Sequence, residues 1–178
     1  MTNRKLLNME LGRLSPEEFR AMTDGDVAVV LDNIRSAHNV GSVLRSCDAF
    51  RIGRVCLCGI CAVPPSPEIH KTALGAEDTV AWKHYADTLE ALSELRAEGY
   101  TLIAVEQTEN SVSLESFERE KGRRYALVLG NEVDGVRQDV VDCCDLALEI
   151  PQWGTKHSLN VSVAAGVVLW HFRPQDGR

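Results

Sequence analysis

Hydrophobic and polar positions along the chain follow two periods in turn, one typical of buried strands and one typical of helices. Apolar runs typical of strands occur at residues 27–31, 54–60, 101–105, 125–129 and 146–150. Between them, helical spacing or a helix-start signal marks residues 39–50, 68–78, 87–99, 136–143 and 158–172. Alternating strands and helices predict an α/β domain with a mainly parallel sheet and helices on both faces.

The remaining segments complete a single domain over residues 1–178. Ser15-Pro16-Glu17-Glu18 forms a capping box, which predicts a short helix in an N-terminal extension over residues 1–25. Residues 80–82 could add a short strand to a core that covers residues 26–172. Neither a repeat nor a low-complexity linker divides the 178 residues, a length ordinary for one domain.

Composition and charge narrow the class of protein. Apolar residues make up 44% of the chain and charged residues 25%, which is typical of a globular domain and excludes a disordered tail or a coiled coil. The apolar runs are shorter than the ~20 residues that a membrane helix needs, and no apolar leader follows Met1, so we expect a cytoplasmic protein without a membrane partner. A net charge of −7 argues against non-specific nucleic-acid binding, but leaves room for a local basic patch.

Six cysteines raise the question of a metal site. Cys56, Cys58 and Cys61 lie close together, but a second pair with zinc-ligand spacing is missing. Alternation along the strand places Cys56 and Cys58 on one face of the sheet. We therefore interpret them as small buried thiols and expect no metal, with metal ligation as the alternative.

Candidate chemistry follows the first strand, because ligands of open α/β sheets bind at the carboxyl ends of strands. Residues 32–45 contain a single glycine, unlike a dinucleotide-binding loop, but are rich in amide and guanidinium groups. Asn39 and Ser42 are candidate caps of the next helix, and Arg45 follows them. Arg45 is either a solvated surface charge or part of an anion-binding corner.

Two later segments have the same position after a strand. The first of them has glycines on both sides of a carboxylate, namely Gly130 and Gly135 around Glu132. Glycines in this pattern indicate either a plain turn or a close approach of the backbone to a ligand. Ser158 and Asn160 stand at the start of the final apolar helix, where capping explains only one of them. That helix is apolar on most of its surface, so we expect it to be well buried.

Together the three segments resemble the motifs of the SpoU/TrmH family of RNA 2′-O-ribose methyltransferases, within the SPOUT superfamily. The first runs from Asn33 through Asn39 and Gly41 to Arg45. The second motif covers residues 129–135, and the third motif combines Ile150-Pro151 with residues 158–164. Lys71-Thr72-Ala73-Leu74-Gly75-Ala76 is also similar to a stretch common in this family. The resemblance covers residues 27–170, and residues 106–108 and 151–152 are similar to the branch that methylates a D-loop guanosine of tRNA.

The resemblance implies a fold, a cofactor and an assembly. The fold is a SPOUT-type sheet whose C-terminus forms a trefoil knot, and the protein is a homodimer with its active site near the interface. The cofactor is S-adenosylmethionine, held through backbone groups and apolar packing. The positions that match the family's cofactor contacts are Gly130, Ile150 and Leu159, and Gln107 lies in a loop that could close over them.

The resemblance also implies methyl transfer to a ribose 2′-hydroxyl of RNA, with tRNA favoured. Arg45 matches the family position that acts on the reacting hydroxyl. We expect an electrostatic role for Arg45, because a guanidinium is effectively always protonated. The other polar catalytic positions are Asn39, Glu132, Ser158 and Asn160, although Glu132 could simply cap a turn. RNA contacts are expected from Arg35, Lys71 and Lys156, with Arg123 and Arg124 as further candidates; each could instead be a solvated charge.

Three alternatives remain open at this point. The substrate could be rRNA instead of tRNA. The chain could be a non-catalytic RNA-binding or assembly protein on the same scaffold. It could also be an unrelated flavodoxin-like module with Asp32 as a phosphoacceptor, which would leave the second and third motifs unexplained.

Overall fold

One seven-stranded sheet organises the protein, whose computed structural model describes residues 3–23 and 25–174. The order is β3-β2-β1-β6-β4-β7-β5, and each neighbouring pair is parallel. The strands are β1 (Val27–Asp32), β2 (Arg54–Cys58), β3 (Ala81–Tyr85), β4 (Tyr100–Val105), β5 (Val112–Ser113), β6 (Arg124–Leu129) and β7 (Leu146–Glu149). The predicted α/β class is confirmed.

Within residues 3–23 and 25–174, seven α-helices connect and cover these strands. They are α1 (Pro16–Met22), α2 (Ala37–Ala49), α3 (Pro67–Ala73), α4 (Ala76–Thr79), α5 (Thr88–Ala97), α6 (Gln138–Asp142) and α7 (Val161–Phe172), with a 3-10 turn at Asn8–Glu10. The predicted capping box at the start of α1 is present, since Ser15 and Glu18 bond each other's backbone N–H groups. No helix among the described residues combines the length and apolar character needed to cross a bilayer.

The two faces of the sheet carry separate apolar layers. On one face Val29 and Leu31 of β1 pack in a core that includes residues of α2, α3 and α7. On the other, Ala28 and Val30 pack with residues of α5 and α6. Every residue of β1 is buried, as a strand covered on both faces requires. Helices on both sides of a parallel sheet make three layers.

The cysteines lie where strand alternation predicts. Cys56 and Cys58 are buried together on the face under α5, while Cys61 is buried in the opposite layer and accepts a hydrogen bond from the Ile34 N–H at 3.1 Å. Within residues 3–23 and 25–174, no group of three or more His, Cys, Asp or Glu side chains is arranged to hold a metal ion. These thiols therefore act as small apolar core residues.

Local backbone geometry shifts several predicted boundaries. The strand predicted at 54–60 ends at Cys58, because Gly59 turns the chain at a φ of +62°. The single helix predicted at 68–78 is split into α3 and α4, because Leu74 and Gly75 both take left-handed conformations. The short strand predicted at 80–82 occupies Ala81–Tyr85, and the helix predicted at 136–143 is confined to Gln138–Asp142.

The final helix differs from its prediction in both start and burial. It begins at Val161 rather than at residue 158, because Asn160 is its N-cap. One side of α7, including Ala165 and Phe172, is buried, but Val163, Val167 and Trp170 are 51%, 40% and 56% exposed. The expectation of a well-buried helix is therefore wrong for this face, where the three apolar side chains stay largely exposed to solvent.

Candidate functional site

Four neighbouring strands end at one edge of the sheet, because parallel strands have their carboxyl ends on the same side. In the order β1, β6, β4 and β7, they lead into the segments that begin at residues 33, 130, 106 and 150. Ligands of open parallel sheets bind at this edge. The three segments singled out in the sequence therefore meet here, although they are far apart in the chain.

Hydrogen bonds join one predicted residue from each segment. The Asn39 Nδ2 atom donates to Glu132 Oε1, and Asn160 Nδ2 donates to Asn39 Oδ1 at 3.3 Å. These bonds span 93 and 121 residues of sequence. One side-chain amide thus links the loop after β6 to the start of α7.

Asn39 can make this link because another residue caps α2. The Ser36 Oγ atom accepts from the Asn39 N–H at 3.3 Å, so Ser36 is the cap. Ser42 donates its hydroxyl to the His38 carbonyl within the helix at 2.9 Å. The expectation that Asn39 or Ser42 caps the helix is therefore wrong, and the Asn39 side chain is available to contact Glu132 and Asn160.

The Glu132 side chain is likewise available for a contact across the site, because another residue stabilises its turn. The Asn131 Oδ1 atom accepts from the N–H groups of Val133 and Asp134, both at 3.0 Å. Asn131 thus stabilises the turn, which was the alternative role considered for Glu132. The exposed carboxylate of Glu132 bonds across the site to Asn39 instead.

The two glycines of this loop are required by the protein's own backbone. A Cβ added to Gly130 would lie 1.9 Å from the carbonyl carbon of Gly135, and one added to Gly135 would lie 2.2 Å from Glu106 Oε2. Gly135 also has a φ of +68°, which side-chain-bearing residues rarely adopt. The glycine spacing of the second motif is thus explained by a tight turn before any ligand is considered.

Two carboxylates that the sequence reasoning did not assign to the site hold this edge together. Glu106 accepts from the N–H groups of Gln107 at 2.9 Å and Val136 at 3.0 Å. Asp32, fully buried, accepts from the Thr88 hydroxyl at 2.6 Å and from the Arg137 N–H at 3.0 Å. Their positions directly after strands were the only sequence signal. With both oxygens bonded inside the fold, Asp32 does not have the free carboxylate that a phosphoacceptor needs.

The third segment combines a cap with exposed polar and apolar groups. Asn160 Oδ1 accepts from the Ser162 N–H at 2.9 Å, which accounts for Asn160 by capping as well as by its bond to Asn39. Ser158 is exposed and makes no hydrogen bond within the described residues, so capping does not explain it. Leu159 is 40% exposed and Ile150 is half-buried. Gln107 Nε2 donates to the His157 carbonyl at 3.2 Å and so reaches this segment, while its role over a cofactor stays a prediction.

Arg45 lies six residues beyond Asn39 on α2, about 9 Å further along the helix axis. Its side chain is exposed and has neither a hydrogen bond nor an ion pair with any described residue. The hydrogen-bonded set of Asn39, Glu132 and Asn160 therefore does not include the residue that the resemblance places at the reaction. A guanidinium with five unused donors is suited to bind an anion.

The three cations predicted for RNA binding are also exposed. Arg35, Lys71 and Lys156 make no ion pair or hydrogen bond in the described part of the chain. Lys71 is near the start of α2, because its neighbour Thr72 donates to the His38 carbonyl at 3.0 Å. They are available for an external anion.

Arg123 and Arg124 differ from these cations. Arg124 donates to the carbonyls of Gly25 and Glu98 and to the Tyr100 hydroxyl at 2.7 Å, at the amino-terminal edge of the sheet. Arg123 bonds Glu120 and the Thr101 hydroxyl. The structure therefore accounts for this pair by internal bonding, away from the edge where the motifs meet.

A cavity of about 510 Å³ also opens at that opposite edge. Its lining includes Phe19 of α1 and residues near the starts of four strands, among them Arg54, Trp82, Tyr100 and Arg124. Arg54 is already paired with Glu94 at 2.8 Å and with Glu98 at 2.5 Å. The cavity is thus separate from the polar network at the carboxyl edge.

The fold and the network define a class, namely a parallel α/β protein whose polar residues converge at the carboxyl edge of the sheet. Comparison with known proteins gives the family. The family model described as "SpoU rRNA Methylase family" matches residues 26–170, so the chain belongs to that family.

Curated relatives include enzymes named for two RNA substrates. A 23S rRNA (guanosine-2′-O-)-methyltransferase RlmB of Nitrosomonas europaea is 36% identical over 165 residues, covering 90% of this chain and 61% of the relative. A tRNA (guanosine(18)-2′-O)-methyltransferase of Thermus thermophilus is 31% identical over 169 residues, covering 93% of this chain and 84% of the relative. This chain therefore spans about three fifths of the length of the rRNA relative.

Solved structures agree with the assignment of the fold. The TrmH/SpoU tRNA modifying enzyme of Aquifex aeolicus superposes with a TM-score of 0.76 at 25% identity, covering 88% of this chain and 79% of that one. An AdoMet-bound rRNA methyltransferase of Sinorhizobium meliloti gives a TM-score of 0.76 at 26% identity, covering 86% and 58%. The SPOUT-type α/β architecture is thus shown, while the trefoil knot stays a prediction.

Proposed function

We propose that this protein transfers a methyl group from S-adenosylmethionine to a ribose 2′-hydroxyl of RNA, with a guanosine of tRNA as the first candidate. The observation that carries the proposal is the hydrogen-bonded set of Asn39, Glu132 and Asn160, which draws the three family motifs to one edge of the sheet. Family membership and the names of the relatives support the same reaction.

The groups at this edge fit the proposed cofactor. Ile150 and Leu159 offer partly exposed apolar surface, and the backbone between residues 151 and 159 has one hydrogen bond to other described residues, the one from Gln107 to the His157 carbonyl. The remaining N–H and C=O groups are free to bond an adenine, and Gly130 follows β6 at the same edge of the sheet. S-adenosylmethionine, when bound, supplies an electrophilic methyl group. We assign Gly130, Ile150, Leu159 and Gln107 to holding it.

Arg45 supplies positive charge to the reacting ribose in this proposal. A guanidinium does not accept protons near neutral pH, so Arg45 binds an RNA phosphate and stabilises the negative charge on the 2′-oxygen while the proton of the hydroxyl passes to solvent water. Asn39, Glu132 and Asn160 hold the loop after β6 and the start of α7 against α2, the helix that carries Arg45. Ser158, exposed and without a hydrogen-bond partner among the described residues, is free to contact the ribose or the adjacent phosphate.

RNA is the substrate class that best fits the free cations. Arg35, Lys71 and Lys156 are exposed and unpaired among the described residues, and phosphate contacts supply much of the affinity of proteins for nucleic acid. A second candidate is an rRNA guanosine, favoured by the 36% identity to the rRNA relative against 31% to the tRNA relative.

The assembly and place of action are part of the proposal. We assign residues 26–172 to one catalytic core, preceded by an extension over residues 1–25, of which residues 3–23 and 25 are described. The apolar stripe of Val163, Val167 and Trp170 on α7 supports a homodimer, because exposed apolar patches mark interaction surfaces. The proposed substrates, tRNA and rRNA, are cytoplasmic RNAs, which supports action of the protein in the cytoplasm.

The test is transfer of labelled methyl groups into unmodified tRNA and rRNA, followed by mapping of the product nucleotide. We expect a 2′-O-methyl group at one guanosine. Arg45→Ala should lower the rate by about 100- to 1000-fold, the range found when one oxyanion donor is removed. Lys121→Ala, which removes an exposed loop charge away from the motifs, is the matched control and should retain the rate.

Cofactor binding, measured separately by calorimetry, separates the alternatives. Transfer to rRNA alone would select the second candidate. Cofactor binding without transfer to either RNA would contradict the proposed substrates. Absence of both transfer and cofactor binding would favour a non-catalytic RNA-binding protein on this scaffold.

A further inference from the structure

Trp153 is the one tryptophan of the chain that makes no specific contact within the described residues. Its side chain is 84% exposed. Trp170 packs edge-on against Phe50, with ring centroids 5.8 Å apart, and lies under the Arg173 guanidinium. Trp82 donates its indole N–H to the Glu77 carbonyl at 3.2 Å. The other two tryptophans are thus held by the fold, whereas both faces of the Trp153 ring are open.

The loop that carries Trp153 is fixed at the site. It follows β7 and leads into α7, whose cap, Asn160, bonds Asn39. The bond from Gln107 to the His157 carbonyl holds its second half. A Cβ added to Gly154, next to Trp153, would meet no atom beyond its chain neighbours within 4 Å, so this part of the loop is open to solvent. Trp153 is therefore presented at the carboxyl edge without packing against it.

The charge of this part of the chain selects the kind of partner. The chain has 26 Asp and Glu residues, yet none occurs between Glu149 and Asp176. Lys156 stands three residues after Trp153, exposed and without an ion pair among the described residues. An exposed aromatic ring beside a free cation, in a segment without carboxylates, is complementary to a base and its phosphate.

We propose that Trp153 stacks on the base of an unpaired nucleotide of the substrate RNA while Lys156 binds a neighbouring phosphate. This inference rests on the proposed function for its substrate class, and it adds a positioning residue outside the hydrogen-bonded network. Aromatic stacking needs a splayed, single-stranded base, so the site would select loops over duplexes.

The experiment compares wild type with Trp153→Phe and Trp153→Ala in binding a short single-stranded RNA and the duplex formed with its complement. Stacking predicts affinity in the order Trp, Phe, Ala, with a loss of about 5- to 150-fold for Ala. Tryptophan fluorescence gives a second readout, in which the contribution of Trp153 is the part that Trp153→Phe removes. The single strand should quench this part, and the duplex should quench it far less.

The salt dependence distinguishes stacking from charge. Trp153→Ala removes no charge, so the slope of log affinity against log salt should stay as in wild type. Lys156→Gln, the matched control in the same loop, should reduce that slope by about one. For methyl transfer, Trp153→Ala should change KM more than kcat.

Other outcomes would overturn the inference. Equal RNA affinity of wild type and Trp153→Ala would remove Trp153 from the RNA site. A change of sedimentation coefficient in Trp153→Ala would place the ring against a second copy, and weaker S-adenosylmethionine binding without RNA would place it over the cofactor. Trp153 is exposed, so unchanged unfolding in urea should accompany the expected result.

Failure of this inference and failure of the proposed function are distinguishable. Quenching and binding of single-stranded RNA require no methyl transfer, so they can be positive in a protein that proves inactive. Conversely, methyl transfer with an unchanged KM in Trp153→Ala would retain the proposed function and reject the stacking role.

Discussion

At the scale of single residues, the site depends on one side chain that is both donor and acceptor. The Asn39 amide donates a hydrogen bond to Glu132 through Nδ2 and accepts one from Asn160 through Oδ1. A carboxamide has both groups within one rigid plane, which hydroxyl or carboxylate side chains of similar size do not offer in this arrangement. Residue 39 therefore holds two loops in register by its chemistry as well as its position.

Asn39→Asp tests this point with almost no change in shape. The new carboxylate faces Glu132, so a hydrogen bond is replaced by repulsion between like charges. We expect methyl transfer to fall by about 100-fold, as displacements near 1 Å at a reacting group can cause. The measurement is single-turnover methyl transfer.

Ser46→Ala is the control for Asn39→Asp on the same helix, since the Ser46 hydroxyl donates to the Ser42 carbonyl within α2, at 3.0 Å. It should retain activity. Retention of wild-type rates by Asn39→Asp would show that the hydrogen bonds of Asn39 do not position the site.

The thiols give a second residue-scale prediction, which depends on pH. Burial raises the pKa of Cys47 and Cys58 far above the usual thiol range and raises the pKa of Cys144 to about 12. Because burial penalises the thiolate, a raised pKa leaves less thiolate at any pH below it. For Cys144, a change from 9.0 to about 12 lowers the thiolate fraction about a thousandfold below pH 9.

Iodoacetamide labelling followed by mass spectrometry checks the thiols. At mildly alkaline pH the exposed Cys143 should be alkylated first, and Cys47, Cys58 and Cys144 only slowly. The same protein unfolded in guanidinium chloride is the control, in which all six thiols should react. Equally fast labelling of Cys58 and Cys143 in the folded protein would contradict the burial described here.

At the scale of elements, α2 lies against α3 at the distance that a glycine allows. A Cβ on Gly41 would lie 2.2 Å from Thr72 Oγ1 and 2.4 Å from the Ile69 carbonyl oxygen. The second is a backbone atom, which cannot move without displacing α3. Since α2 carries Asn39 and α3 carries Lys71, this contact also sets the distance between two parts of the proposed site.

Gly41→Ala should therefore destabilise the protein despite the better helix propensity of alanine. We expect a loss of about 1–3 kcal/mol in the free energy of unfolding, typical of overpacking, measured in urea. Gly154→Ala is the matched control, because a Cβ there meets no atom within 4 Å, and it should change stability by less than about 0.5 kcal/mol. Equal stability of the two variants would contradict the close packing.

Elements were predictable from the sequence where burial dominates and less so where single residues bend the chain. The apolar runs at β1, β2, β4, β6 and β7 were sufficient, because strands covered on both faces have little polar content. The break at Leu74 was not predictable, because leucine seldom adopts a φ of +53° and tertiary contacts must stabilise it. The two-residue strand β5 was missed because two residues show no periodicity.

The site was predictable to a similar degree. Residue types and motif order identified Asn39, Glu132 and Asn160, but not the bonds between them. Those bonds depend on Ser36 and Asn131 taking the capping roles, a competition between neighbouring polar side chains that spacing alone does not decide. Glu106 and Asp32 were overlooked as supports because their partners are backbone N–H groups distant in sequence.

At the scale of the whole molecule, α7 has one apolar face in the core and another exposed. Val163, Val167 and Trp170 recur at i, i+4 and i+7, so they form one stripe. A second copy of the chain, meeting the same stripe, would cover it in a two-fold interface. The start of α7 also carries Asn160, so such a dimer would place the site near its partner.

Val167→Glu tests the proposed dimer. A charge placed in an apolar interface should raise the dissociation constant at least about 100-fold, measured by analytical ultracentrifugation. Ile60→Glu introduces the same charge at another exposed apolar residue and should leave the association unchanged. If both variants sediment like wild type, α7 does not form the interface.

The long sequence separation within the hydrogen-bonded network has a consequence for protein synthesis. Asn39 meets Glu132 and Asn160 only after 93 and 121 further residues have been made. A growing chain on the ribosome therefore cannot close this network before Asn160 has been made. A translation product that stops short of Asn160 lacks the assembled site, so the proposed methyl transfer requires synthesis to continue into α7.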